Sequence, residues 1–291
     1  MSKVVGVDEI SRVCVVGAGT MGTQIAEVCA RAGYETYVYD ISEEALKRLH
    51  SAIERSLKKY QVERGKMKEE EVPKILEMIK AVKSLEEAAG EADFVIEAVF
   101  EKLDVKQEVF KKLDEICKPE AILGTNTSTL SITAIASATK SPHRVVGTHF
   151  LNPAQLTRAV ELCRGLLTSD EAFNVTVEFC RRLGKEVIVS GETPGFIINR
   201  LWLLALNEAI RLYAEGVASK EEIDKAARIG LAWPLGPFEA MDRYGLDIIH
   251  DALMGIYEQL QDPRYYPHPL LKRMVNAGLL GVKTKRGWYS Y

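Results

Sequence analysis

Short apolar runs of strand length alternate with helix-patterned segments through the first two thirds of the chain. The clearest runs are Arg12–Val16, Glu35–Tyr39, Phe94–Val99, Ala121–Gly124 and Arg144–Thr148. Near-continuous apolar strands separated by helices are the pattern of a parallel α/β sheet covered on both faces. Ser42 with Glu43 and Glu44 makes a helix start, and Leu46, Leu49, Ile53, Leu57 and Tyr60 follow at three-to-four spacing. Val109, Phe110, Leu113 and Ile116 repeat that stripe in residues 103–117 before Lys118-Pro119 ends the helix, and Ser169–Leu183 predicts another helix, closed by Gly184. The alternation stops after the strand-like Glu186–Val189. The turn-rich segment Ser190-Gly191-Glu192-Thr193-Pro194-Gly195 follows, and beyond it only helix and loop patterns remain. These patterns divide the chain into an α/β domain, residues 1–190, and an all-helical domain, residues 191–291.

The helical domain is expected to open with Thr193 as cap and Pro194 in the first turn of a helix running to about Tyr213. Apolar residues surround that helix on most sides, so it must be covered. A small domain of about 100 residues offers little core of its own, and a homodimer built on this region supplies the cover. The competing reading is burial between the two domains of one chain.

Composition narrows the function. With 47% apolar residues among 291 the chain buries a substantial core, and disorder is excluded. Lys+Arg of 38 against Asp+Glu of 41 leaves a formal charge of −3, so no global positive field recruits nucleic acid or an anionic membrane. An anionic ligand would need a local basic patch. Asp8, Glu9 and Arg12 interrupt the N-terminus where a signal peptide needs an apolar run, and no uncharged apolar stretch approaches membrane-spanning length, which together read as a cytoplasmic protein. The five cysteines are scattered, odd in number and without metal-ligand spacing, so they read as small buried residues in a reducing compartment, with no metal expected.

The first strand runs directly into Gly17-Ala18-Gly19-Thr20-Met21-Gly22 and then a helix, which is GxGxxG in strand–turn–helix context. The first glycine permits the tight turn, the second lets backbone approach a pyrophosphate, and the third lets helix pack on strand. The helix N-terminus adds amide donors and a positive dipole. The next strand ends in Asp40, 18 residues after Gly22, where a carboxylate accepts ribose hydroxyls and repels a 2′-phosphate. This combination predicts a Rossmann-type, mainly parallel sheet that binds NAD in preference to NADP.

Of the five histidines only His149 ends a strand, Val145–Phe150, expected to be the last strand of the nucleotide sheet. Leu151-Asn152-Pro153-Ala154-Gln155 is turn chemistry, and the next apolar run carries one acid, Glu161. A chain doubling back near Gln155 sets residues 149 and 161, each six away, opposite one another. A carboxylate against one imidazole nitrogen fixes the tautomer and makes the other nitrogen a general base, which suits alcohol oxidation beside a nicotinamide. From these residues alone, a core histidine facing an incidental glutamate fits as well. No GxSxG nucleophile elbow is present for a hydrolase.

The assembled motifs resemble the L-3-hydroxyacyl-CoA dehydrogenase family, including bacterial 3-hydroxybutyryl-CoA dehydrogenases, over nearly the whole chain. The matching stretches are GAGTMGTQIA at 17–26, IEAVFEKLDVK at 96–106, TNTSTLSI at 125–132, GTHFLNP at 147–153, VE at 160–161, TPGFIINR at 193–200, GPFEAMDRYGLD at 236–247 and GVKTKRGWYSY at 281–291. The resemblance implies a catalytic dyad of His149 and Glu161, with Ser128 and Asn199 steadying the substrate's 3-oxygen. It implies cofactor contacts at the glycine turn, Asp40, Glu101, Lys106, Ser128 and Asn152, and from the C-terminal loop at Lys283. On their own Glu101 and Lys106 read as solvated charges at a helix start. Coenzyme A contacts are implied at Ser56 and a lysine after it, for which Lys59 stands within the basic stretch Lys58, Lys59, Arg64, Lys66 and Lys68. A solvated helix face explains any one of these charges equally.

The chain departs from the family where relatives have two aromatics after the histidine and here Phe150-Leu151 stands. It departs again at Thr157-Arg158-Ala159, where relatives often read Met-Lys-Leu. Neither change removes a proton-transfer group, but both bear on acyl length. The reading is a reversible NAD-dependent oxidation of a short L-3-hydroxyacyl-CoA. Its competitors are a dehydrogenase of a free hydroxy acid or sugar acid on the same scaffold, and an NAD-binding structural protein without turnover. Against the last stands the intact set Ser128, His149, Glu161 and Asn199.

Overall fold

Eight strands form one sheet: β1 (Arg12–Val16), β2 (Glu35–Tyr39), β3 (Ile79–Val82), β4 (Phe94–Glu97), β5 (Ile122–Thr125), β6 (Val145–Phe150), β7 (Ala159–Arg164) and β8 (Glu186–Ser190). The computed structural model describes residues 3–291. The strand order is β3-β2-β1-β4-β5-β6-β7-β8, and every neighbouring pair is parallel except β6 with β7. Helices α1 (Thr20–Arg31), α2 (Glu43–Leu57), α3 (Val72–Glu77), α4 (Leu85–Ala89), α5 (Leu103–Ile116), α6 (Ile132–Ala136) and α7 (Asp170–Arg182) complete a first compact unit that ends at Glu192. Ser42 and Ser169 cap α2 and α7 by accepting the Ala45 and Ala172 N–H, as their positions before an acidic first turn require.

Two expectations about the sheet are corrected. His149 does not lie on its last strand: after the β6–β7 reversal the chain adds β8 parallel to β7, so the site sits inside the sheet. Strand β3 escaped the sequence pattern. It is a four-residue edge strand, IKAV, whose two middle residues are exposed, so it has no continuous apolar run to read. The core of this unit packs Val13, Val15 and Phe94 of the sheet against Ile25 of α1 and Phe179 of α7, with the Phe94 and Phe179 rings stacked 4.3 Å apart.

The second unit, Thr193–Tyr291, holds α8 (Ile198–Ala214), α9 (Lys220–Gly230), α10 (Pro237–Tyr244), α11 (Leu246–Leu260) and α12 (Pro269–Asn276). Its first helix begins at Ile198, capped by Ile197 and not by Thr193. Gly195 and Phe196 have φ of +79° and +47°, left-handed values that no right-handed helix accommodates, and the Phe196 N–H closes a turn on the Thr193 carbonyl. His268 caps α12 by accepting the Leu270 N–H. Leu203, Leu206, Phe238, Ile249, Leu253 and Trp288 form the core, and Asn207 within α8 binds the carbonyls of Arg264 and Tyr266. The C-terminal segment is pinned by Asp242, whose buried carboxylate accepts the backbone N–H of Trp288 and Tyr289 at 2.8 Å each.

Candidate active site

Because β1, β4, β5 and β6 are all parallel, their C-terminal ends lie on one edge of the sheet, where ligand crevices of such folds open. Four groups meet there: the glycine turn after β1, the Glu97–Glu101 segment after β4, the Asn126–Ser128 loop after β5, and His149 near the end of β6.

The glycine turn is built to closed tolerances on two sides and open on the third. A Cβ on Gly22 would lie 1.7 Å from the Gly17 carbonyl oxygen, and one on Gly17, at φ +109°, would lie 2.6 Å from that of Ala98. A Cβ on Gly19 meets nothing within 4 Å. That open approach to the N-terminus of α1 fits a diphosphate. Asp40 is held by two backbone donors, Ala18 N–H at 2.6 Å and Ser42 N–H at 2.7 Å. Each carboxylate oxygen keeps a lone pair for a ribose hydroxyl. The turn and Asp40 therefore fit the adenosine diphosphate half of NAD.

Lys106 is not the solvated charge that its sequence context implied, whereas Glu101 stays exposed yet is held by several donors. Lys106 is 1% exposed, and its ammonium bonds Glu97 at 2.6 Å and pairs with Glu101 at 3.3 Å. Glu97, fully buried at the end of β4, also accepts the Val99 N–H and the Thr125 hydroxyl. Glu101 accepts the Thr127 hydroxyl at 2.6 Å and the backbone N–H of Ser128 and Thr129 at 2.7 and 3.0 Å. Burial works to raise the Glu101 carboxyl, but Lys106 and these donors together hold it below its ordinary value. Lys106 thus fixes Glu101, and Glu101 fixes the loop that carries Ser128. Sequence reasoning missed Glu97, although a lone acid in an apolar run is the same signal that singled out Glu161.

The antiparallel register of β6 and β7 pairs His149 directly with Glu161. Nδ1 of His149 lies 2.9 Å from Oε2 of Glu161; the histidine is 6% exposed and the glutamate wholly buried. A buried carboxylate accepts, so Nδ1 carries the proton and Nε2 presents a lone pair. Asn126 Oδ1 accepts the N–H of Phe150, next to His149, which ties the β5 loop to the histidine strand. The other histidines are accounted for structurally: His50 bonds the Ile79 carbonyl, His250 pairs with Asp251, and His143 lies in the short turn before β6.

Asn152 is exposed, and its Oδ1 accepts from Gln24 of α1, a residue that no sequence pattern singled out. Ser56 is half-buried on α2 and accepts from Gln155 at 3.2 Å. After it the helix loosens into one π-turn, Lys58–Val62, a device frequent at functional sites. Lys58 pairs with Glu54 at 2.8 Å, whereas Lys59 is exposed and lies 5.3 Å from the Tyr60 ring centroid. Asn199 and Lys283 belong to the second unit, where Asn199 is in the first turn of α8 and Lys283 bonds Asp247 at 2.6 Å. Of the residues by which the chain departs from its relatives, Phe150 is buried in the core and Arg158 forms an ion pair with Glu186; Leu151 is half-buried. Among the described residues no cluster of three His, Cys, Asp or Glu could hold a metal, and no helix is long and apolar enough to cross a membrane.

Comparison with known proteins gives the arrangement its context. Residues 12–193 match the family model for the 3-hydroxyacyl-CoA dehydrogenase NAD binding domain, and residues 195–291 that for the C-terminal domain. The chain is 43% identical over 282 residues to a 3-hydroxybutyryl-CoA dehydrogenase of Bradyrhizobium diazoefficiens, covering 97% of this chain and 96% of that protein. The crystal structure of FadB2 from M. tuberculosis superposes with a TM-score of 0.93 at 42% identity, covering 97% of this chain and 99% of that one. That of (S)-3-hydroxybutyryl-CoA dehydrogenase PaaH1 from Ralstonia eutropha gives 0.90 at 38%, with 97% and 99% covered. An NAD-binding domain and a C-terminal domain matched in order across nearly the full length mean that this chain belongs to the 3-hydroxyacyl-CoA dehydrogenase family, NAD-dependent oxidoreductases acting on a CH–OH group.

Proposed function

We propose that the protein reversibly oxidises a short-chain L-3-hydroxyacyl-CoA, of the size of 3-hydroxybutyryl-CoA, to the 3-oxoacyl-CoA. The observation that carries this reading is the buried 2.9 Å bond between His149 and Glu161, on the sheet edge that also bears the glycine turn. NAD, when bound, supplies the hydride acceptor for C3. His149 takes the hydroxyl proton at Nε2, and Glu161 stabilises the imidazolium that results. Ser128, held by Glu101, steadies the 3-oxygen as it becomes a carbonyl, with Asn199 of the second unit in the same role. In the reverse direction protonated His149 polarises the 3-keto group and returns the proton.

Asp40 receives the adenosine ribose, and Asn152, with Lys283, the remainder of the cofactor. Ser56 and Lys59 meet coenzyme A, whose phosphates find their local positive charge in the exposed Lys59, Arg64, Lys66 and Lys68. The short acyl preference rests on the relatives' named substrate. Exposed Leu201, Val217, Ile229, Leu231 and Ile248 leave the second unit with more apolar surface than one chain covers, which supports a homodimer. The buried thiols, with Cys29, Cys117 and Cys163 each pushed up to about 12 by burial, accord with a reducing cytoplasm.

A panel of 3-oxoacyl-CoA thioesters assayed with NADH and NADPH, with free coenzyme A as competitor, tests the substrate. The highest kcat/KM is expected for acetoacetyl-CoA with NADH, inhibited by coenzyme A. Turnover of free 3-oxo acids without that inhibition would show a dehydrogenase lacking the CoA arm.

A further inference from the structure

The loop that carries Ser128 is tied to three charges that do not cancel. The buried ammonium of Lys106 is the shared cation of Glu97, at 2.6 Å, and Glu101, at 3.3 Å. Among the described residues no second cation pairs with either carboxylate, so two negative charges meet one positive and the cluster carries one net negative charge. The flanking charges Lys102 and Asp104 are exposed and of opposite sign. Glu101, held below its ordinary value, is ionised at neutral pH. Glu97 is an acceptor at both oxygens: Oε1 takes the Val99 N–H at 2.7 Å and the Lys106 ammonium, and Oε2 takes the Thr125 hydroxyl at 2.7 Å. Because Glu97 is shut from water, its charge is weakly screened and reaches farther than one on the surface.

We propose that Glu97 discriminates between the two oxidation states of the cofactor: its uncompensated charge favours the cationic nicotinamide of NAD⁺ over the neutral ring of NADH. The inference rests on the reading of Ser128 and Glu101 as the end of the site where the nicotinamide lies. The hydride acceptor must stand beside the carbon whose oxygen Ser128 steadies, and Glu101 accepts the Ser128 N–H at 2.7 Å. Between the two forms of the cofactor only the ring changes charge. As the alcohol is oxidised, the hydride leaves C3 for the ring and the hydroxyl proton goes to Nε2 of His149. One positive charge thus vanishes from the ring as another forms on the imidazolium. Two buried carboxylates serve opposite ends of that transfer: Glu161 draws the proton to His149, and Glu97 holds the ring that has yet to accept the hydride.

Glu97→Gln is nearly isosteric. Its Oε1 keeps the Val99 N–H and Lys106, and its Nε2 donates to the Thr125 hydroxyl oxygen, so one charge goes while the pattern of bonds stays. Dissociation constants for NAD⁺ and for NADH are measured on the full chain, by calorimetry and fluorescence titration, for the wild type, Glu97→Gln and Glu101→Gln, with melting temperatures alongside. In Glu97→Gln the NADH constant should stay within about twofold of the wild type while that for NAD⁺ rises about fivefold, the scale of one weakly screened charge. Equal weakening of both would mean that Glu97 only braces the chain after β4, and would overturn the inference. So would two unchanged constants. If Glu97→Gln does not fold, Glu101→Gln decides. Loss of a direct contact weakens both forms there, but the ratio of the NAD⁺ to the NADH constant should still rise about fivefold. An unchanged ratio with both weakened overturns the inference and leaves Glu101 as a cofactor contact. Wild-type binding of both forms by Glu101→Gln removes that reading and the inference with it.

Discussion

At the scale of single residues, the site is organised by buried charges that answer one another. The ammonium of Lys106 lies between Glu97 and Glu101 and is shut from water, so removing it would strand the fully buried Glu97. The pH dependence of this relay has a definite sign. Glu101 has a carboxyl held below the ordinary value of 4.5, so its contribution to stability is complete above that value and is lost as pH falls through the lowered one. Glu101→Gln is therefore expected to melt at a lower temperature than the wild type near neutrality, and the gap should close as pH is taken below 4.5. Thermal melts across that range check it, and a gap of constant size would contradict the assignment. Little of this relay was legible in advance, because Lys106 lies on a helix start where a charged residue ordinarily faces solvent. What buries it is the way the chain after β4 turns back so that Lys106 meets Glu97, nine residues earlier, a contact that helical spacing does not encode.

At the scale of elements, the strand-turn-helix of residues 12–31 and the β6–β7 hairpin do most to place the chemistry, and both were written locally. Glycine spacing prescribes the first, and two apolar runs about a turn centred on Gln155 prescribe the second, so the pairing of His149 with Glu161 followed from counting residues. Where legibility failed, a local conformation or an edge position was responsible: the left-handed Gly195-Phe196 pair delays the cap of α8 by four residues, from Thr193 to Ile197, and the exposed middle of β3 erases its pattern. The glycine turn also makes a stability prediction. In Gly22→Ala the new Cβ would stand 1.7 Å from the Gly17 carbonyl oxygen, and the atom it meets is backbone, not the yielding end of a flexible side chain. Overpacking of that kind costs about 3 kcal/mol or more, so chemical denaturation should show a loss of that order together with loss of NADH binding. A variant as stable as the wild type would mean that the turn is looser than drawn.

At the scale of the whole molecule, two units, each with its own apolar core, divide nucleotide machinery from a helical C-terminal domain. The apolar residues left exposed on the second unit predict that the 32.4 kDa chain sediments at about twice its mass, and that Leu231→Lys shifts it toward the monomer. A wild-type chain sedimenting as a monomer at micromolar concentration would remove the homodimer. Everything proposed for catalysis, however, converges on one nitrogen atom. The decisive measurement is turnover of acetoacetyl-CoA with NADH by His149→Gln, paired with the NADH dissociation constant of the same variant. Loss of the proton-transfer group should lower kcat by about 10²- to 10⁴-fold while leaving NADH affinity within about twofold of the wild type. Near-normal turnover by that variant would contradict the His149–Glu161 dyad and the mechanism built on it.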